Sequence, residues 1–420
     1  MSRRRIWHKA EGKTSCDNAL RRRKKITDIL NNNVYYGVQY SLIRVLCTFY
    51  FSLFTFFYLF FYQADLLTAM QHTLSHGKTH YDHFIGAVLI TIVLLVVQVA
   101  VSRLCRQLRL LWALTYLPSA LLLAILTDVS LSRSTGLLQF GSMVYVAPVV
   151  LALFVLLLRM GHVSGFFVSV SQYTSTLTRS VWANVLVMSL LLLSACLCGN
   201  SDKTLHVRLH MEQCLADGNY DEALATARRY ALADPNVTML SAYALSKKGQ
   251  LGEHLFEYYP TGGAGSLMPD YGRHIMFELY PDSLFYSHLG TRYLQTMPAR
   301  KYLDYQRRRG RIKGSLVDYQ LCARLLDRDL NGFAHDISAF YEVSDSAALP
   351  RHYREALTLY VHQHSSPLLV YKNSVMEVDF QDYQKLEAKY ADPKERQTAL
   401  RDMYGNTYWY YYQYREYYWK

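Results

Sequence analysis

The chain has 420 residues, room for two domains, and its formal charge of +12 is unevenly spread. Residues 1–199 carry 18 Lys/Arg against 6 Asp/Glu, whereas residues 200–420 carry 27 of each. An excess confined to the apolar half reports membrane topology and excludes nucleic acid as a partner, and seven cysteines without paired spacing exclude a disulfide framework or a zinc ribbon.

Residues 1–40 form a basic segment with ten Lys/Arg and no apolar core, so they do not read as a cleavable signal. Five apolar stretches follow: Ser41–Tyr62, Phe84–Ser102, Leu110–Thr127, Ser142–Leu158 and Val181–Gly199. The last contains no charged side chain. At about 1.5 Å per residue it matches a hydrocarbon core of about 30 Å. Residues 41–199 are therefore expected to be a bundle of about five transmembrane helices.

The connecting segments set orientation. After the basic start they hold Lys78, then Arg103, Arg106 and Arg109, then Arg133, then Arg159 and Arg179. The basic-rich side faces the cytoplasm. Five crossings then deliver residues 200–420 to the opposite side, the periplasm if the cell is a bacterium. Gly161–Ser180 is the open point: Phe166–Val170 lets it lie in the interface or re-enter, and a sixth crossing would reverse the tail.

The spans carry little ionisable chemistry: Arg44 near one end, then Gln98, Asn184 and hydroxyls. That argues against ion-coupled transport. Pro118 and Pro148 suit either a hinge or lipid-sized cavity, or ordinary kinks in an anchor. In the first outer loop His72, His76, His80 and His83 recur at helical spacing, a pattern able to hold Zn²⁺ or Cu²⁺ on one face. Gly77 interrupts that stretch, and the plainer reading is solvated histidines. Leu193-Ser194-Ala195-Cys196 resembles the lipobox of bacterial lipoproteins; small residues ending a span give the same pattern.

Beyond Asn200 the periodicity becomes helical with short loops, and the expected fold class is all-α throughout. In LADGNYDEALATARRYALADPN (215–236) the order Gly218, Tyr220, Ala223, Leu224, then Asp234-Pro235, resembles the second helix of a tetratricopeptide repeat. Small Ala lets paired helices approach, and Tyr fills the groove between them. A degenerate second unit follows around Gly249-Gln250-Leu251. Pro260–Pro269 reads as a flexible or looped break. Helices are expected again over Pro281–Met297, Arg300–Arg309, Ser315–Arg328, Asn331–Val343, His352–Gln363, Asp379–Tyr390 and from Pro393 onward, a spacing suited to an α-solenoid. Residues 371–380 (YKNSVMEVDF) stay open as a strand, and a Cys214–Cys322 bridge stays open as well.

The runs LPRHYREALTLY (349–360), LLDRDLNGFAHDISAFY (325–341), ALSKKGQLGEHLFEYY (244–259) and YGNTYWYYYQY (404–414) are similar to an uncharacterised family of bacterial polytopic inner-membrane proteins with tetratricopeptide-like tails. The likeness covers most of residues 205–415. It implies the topology and supplies no catalytic residues.

Several candidate contact sites remain in the tail. Arg307, Arg308, Arg309, Arg311 and Lys313 form a basic run fit for anionic headgroups or for a solvated loop. Tyr404 to Trp419 holds eight Tyr and two Trp, Trp409 and Trp419, which suit a helix closing the core, a belt on the membrane, or a platform for peptide or sugar. His352, Arg354 and Glu355 can meet on one helix. Metalloprotease, hydrolase and phosphate-loop motifs are absent. The expectation is a cofactor-free, non-enzymatic protein whose partners are membrane lipids and another envelope protein. The alternative is a membrane-embedded glycosyl- or lipid-modifying transferase using Asp65 and Asp82.

Overall fold

The computed structural model describes residues 38–105, 111–132, 137–163, 177–292, 297–344 and 348–415. The basic N-terminal segment, residues 164–176 of the proposed re-entrant stretch, Arg106, Arg109, Arg133 and Trp419 lie outside them. The described chain is helical apart from one two-stranded piece, β1 (Val129–Leu131) and β2 (Leu138–Phe140). It divides into two compact units, one mainly residues 38–64, 81–130 and 140–200, the other mainly 65–80 and 201–415.

In the first unit four helices are long and apolar enough to cross a membrane: α1 (Val38–Tyr62), α3 (His83–Leu104), α5 (Met143–Val163) and α6 (Leu177–Cys198). The third predicted span is a shorter helix, α4 (Trp112–Thr127). Its first five residues are 3₁₀ and the next eleven are α. At about 2.0 and 1.5 Å per residue that is about 26 Å, slightly less than a hydrocarbon core.

What α4 lacks in length it recovers in burial. Trp112, Ala113, Tyr116, Ala120, Leu123 and Ala124 are all buried, with α3, α5 and α6 packed around them. The few polar residues of these apolar helices are used here. Asn184 accepts from the Ala113 N–H at 2.8 Å and donates to the Ser180 carbonyl at 2.8 Å. Gln98 donates to Thr115 at 2.9 Å, and Ser119 donates to the Leu94 carbonyl at 2.7 Å. At the other end of α4, the Asn200 N–H donates to the Thr127 carbonyl at 2.8 Å, and Gln63 donates to the Asn200 carbonyl at 3.1 Å. Buried donors without water must find such partners.

The second unit begins with α2 (Ala64–Ser75), all but its first residue, and resumes after residue 200. Three helices open it: α7 (Lys203–Ala216), α8 (Tyr220–Tyr230) and α9 (Pro235–Lys247). Gly218, at φ 74°, makes the left-handed turn after α7. Asp234 caps α9 through the N–H groups of Asn236 and Val237. The partner expected after α9 is cut short to α10 (Leu251–His254) and one 3₁₀ turn, because Tyr259 adopts a left-handed φ of 49°. Gly252 is required there, since a Cβ would stand 2.6 Å from the Tyr353 ring.

Pro260–Pro269 is not a flexible break. Ala264, Ser266, Leu267 and Met268 are buried, and Asp327 accepts from the Ala264 N–H at 3.0 Å. Then come α11 (Asp282–His288), α12 (Ala299–Arg308), α13 (Ser315–Leu326), α14 (Leu330–Phe340), α15 (Arg351–Gln363), α16 (Ser374–Lys389), α17 (Pro393–Tyr404) and α18 (Tyr408–Tyr414). Residues 374–380 belong to α16, not to a strand. Asn373 caps that helix by accepting from the Met376 N–H at 3.1 Å.

One continuous core runs from Val207 to Tyr411. Phe256 stands at its centre, with ring centroids 4.7 Å from Tyr411, 5.1 Å from Tyr408 and 4.9 Å from His352. Each fully buried side chain of this size contributes about 1.5–3 kcal/mol by leaving water.

Candidate functional site

Three elements of the second unit, α8, α9 and the α10 turn, enclose a cleft of about 620 Å³. Leu224 and Leu245 are buried at its floor, while Arg228, Arg229, Lys248, His254 and Tyr258 stand around it. The amphipathic pattern of the two helices explains this: apolar positions of α8 and α9 face the core, and the next positions round each helix face the cleft. Asp221 pairs with Lys248. Arg228 reaches Glu257 at 3.0 Å and lies 5.3 Å from the centre of the Tyr258 ring. Burial raises the Tyr258 hydroxyl above its ordinary pKa. Arg229 adds further positive charge at the exposed rim.

A second cleft of about 730 Å³ lies beside α11 and α12, with Arg292, Arg311, Ser287 and Thr291 on its walls. Sequence reasoning singled out Arg311 and missed the rest. Cleft residues have no periodicity of their own; the only signal was the pair of turns at Gly218 and Gly249.

The basic run separates into two kinds of residue. Arg307 reaches the buried Asp336 at 2.8 Å. Arg308, Arg309, Arg311 and Lys313 are exposed, with Arg309 stacked 4.8 Å above the Tyr305 ring. The aromatic C-terminus closes the core: Tyr408, Trp409, Tyr410 and Tyr411 are all buried. Trp409 Nε1 donates to the Glu355 carbonyl at 2.8 Å.

His352 and Glu355 meet at 2.9 Å, fully buried. His352 Nε2 accepts from the Phe256 N–H and Glu355 accepts from the Tyr408 N–H, so the pair joins three segments and holds no open position.

The loop histidines do not share a helix face. His72 is in the last turn of α2, His76 takes a left-handed φ of 52°, His80 lies in the connection and His83 begins α3. Among the described residues no three His, Cys, Asp or Glu side chains are placed to hold a metal ion. Cys214 and Cys322 are both free thiols, so the bridge left open by sequence is not formed. Cys196 is likewise free and lies inside α6.

Two carboxylate arrangements remain, the first buried and the second half-buried. Glu212 on α7 accepts from the N–H groups of Glu278 and Leu279 at 2.7 and 2.8 Å, fixing that segment. Burial and the nearby Glu212 push Glu278 up to about 7, with Arg208 at 3.9 Å opposing them. Asp65 meets His210 at 3.1 Å, and His210 Nε2 lies 3.8 Å from Cys214 Sγ. The order is that of a nucleophile, a base and an orienting acid. The Asp65 hydrogen bond, then the Cys214 contact, push His210 up to about 10, against the effect of burial. An imidazole already protonated at neutral pH cannot act as general base. Asp82, the other acid of the transferase reading, caps α3 through the Ile85 N–H at 2.8 Å.

Nothing among the curated proteins or the solved structures matches the chain. A family model described as a family of unknown function matches residues 135–293 and 315–415, more than half of the chain. The chain therefore belongs to that family of unknown function, DUF6057.

Proposed function

We propose that this is a bacterial inner-membrane protein, its first unit an anchor and its second a tetratricopeptide-like α-solenoid that binds an acidic segment of another envelope protein in the periplasm. The cleft of α8, α9 and α10 carries the reading. It has the size of a recognition site, an apolar floor at Leu224 and Leu245, and, beyond the Asp221–Lys248 and Arg228–Glu257 pairs, the exposed charge of Arg229 at its rim. The tail as a whole is neutral, 27 Lys/Arg against 27 Asp/Glu, so this local excess is selective. Helix pairs present such surfaces to extended peptides.

Sidedness is supported by counting α4 as a crossing. Its burial and its length of about 26 Å suit a helix enclosed by neighbours. With the basic amino end in the cytoplasm, five crossings leave the tail outside.

A photo-crosslinking residue at Ala225 tests the binding role in intact cells. Capture of one envelope protein, lost in the Arg229→Glu/Lys248→Glu variant, is expected. Capture unaffected by charge reversal, or recovery of lipid alone, contradicts it.

A further inference from the structure

The first unit contains a cavity of about 780 Å³ bounded by α3, α4 and α5. Its walls are three apolar helical faces, one of them including Val97 and Val101, another Leu121 and Leu122. Faces of this pattern ordinarily close on one another. Here they stand apart and leave a half-open recess, and a proline lies on each side of it, Pro118 in the first α turn after the 3₁₀ opening of α4 and Pro148 inside α5. Pro148 removes a helical donor and its ring crowds the preceding turn.

The cavity is apolar except at one end, where Arg159 lines it. Ala147, also on its wall, lies twelve residues earlier on α5. That separation is about 18 Å, the depth of roughly one leaflet of a 30 Å core. Arg159 thus stands where a headgroup would begin, and Arg103 occupies the last turn of α3. Between residues 83 and 200 the sole acid is Asp128, and it accepts from the Met143 N–H at 2.8 Å, at the start of α5 rather than its end. Among the described residues no carboxylate pairs with Arg159, which leaves its charge open to the phosphate of a lipid.

We propose that this cavity is a binding site for one phospholipid with an anionic headgroup, its acyl chain between α3 and α5 and its phosphate on Arg159. The proposal rests on the membrane-spanning reading of the first unit and is independent of the cleft in the second.

The test uses the full chain in nanodiscs of equal parts phosphatidylethanolamine and phosphatidylglycerol, followed by native mass spectrometry of retained lipid. Phosphatidylglycerol is expected to be enriched about five-fold, the ratio one surface cation gives at about 1 kcal/mol. Arg159→Gln should retain lipid without that preference, and Leu151→Trp, which fills the cavity, should retain neither. Equal retention of both lipids by the unaltered chain, or enrichment unchanged in Arg159→Gln, overturns the proposal. Release of the protein from membranes by alkaline carbonate would overturn the membrane reading itself, a result separable from loss of lipid preference alone.

Discussion

The side-chain carbonyl of Asn184, in the middle of the sequence's last apolar helix, accepts a hydrogen bond from the backbone N–H of Ala113 at 2.8 Å. Ala113 lies in the 3₁₀ opening of α4, where backbone donors have no partner one turn back. The amide thus serves as a helix cap supplied from another helix. Asn184→Leu keeps the apolar character of α6 and leaves that donor unsatisfied. A loss of about 1–3 kcal/mol is expected, read as a lower midpoint of unfolding in detergent. An unchanged midpoint would mean α4 does not depend on this bond.

The helix positions were legible in the sequence because apolar runs and capping residues are local signals. α6 and α8 lie close to where Val181–Gly199 and the Gly218–Tyr220 turn place them. The 3₁₀ start of α4 was not legible, since it depends on Asn184 and Gln98, distant in sequence. Pro260–Pro269 has the composition of a loop, yet Asp327 and the core hold it. Residues 371–380 alternate like a strand, but the Asn373 cap starts a helix. The clefts were hidden because Arg228 and Lys248 read as ordinary exposed helix charges until the helices are assembled.

Asp65 and His210 make stability depend on alkaline pH. The folded-state pKa of His210, about 10, lies above the ordinary 6.5, so protonated imidazole stabilises the fold. That contribution is complete below about pH 6.5 and is lost as pH rises through 10. Asp65→Asn should flatten the thermal midpoint between those values. Persistence of the full slope in this variant would assign it to another group.

Glu278 acts in a lower window. Its pKa rises from 4.5 to about 7, so the protonated acid suits the fold and its effect fades as pH climbs from 4.5 to 7. Glu278→Gln should melt several degrees above the parent at pH 8 and close to it at pH 4.5. A variant melting lower at pH 8 would show that the Arg208 pairing outweighs burial.

The arginines at the end of α12 are unequal. Arg307→Ala removes one of the two guanidinium groups on buried Asp336, the other being Arg324 at 2.9 Å. A loss of about 1–3 kcal/mol is expected, while Arg308→Ala, at an exposed position, should stay within about 0.5 kcal/mol. Chemical denaturation of the two variants compares them directly.

Trp409 closes the tail core. Its truncation to Ala removes a buried ring and the bond to the Glu355 carbonyl, with an expected loss of about 3–5 kcal/mol. Wild-type-like stability would favour a surface role for the aromatic C-terminus instead.

The proposed function depends first on where the tail resides. Paired reporters fused after Lys420, one active only outside the inner membrane and one only in the cytoplasm, measure this directly. The account predicts activity from the outer reporter alone. Activity from the cytoplasmic reporter alone would mean an even number of crossings and would contradict a periplasmic binding role.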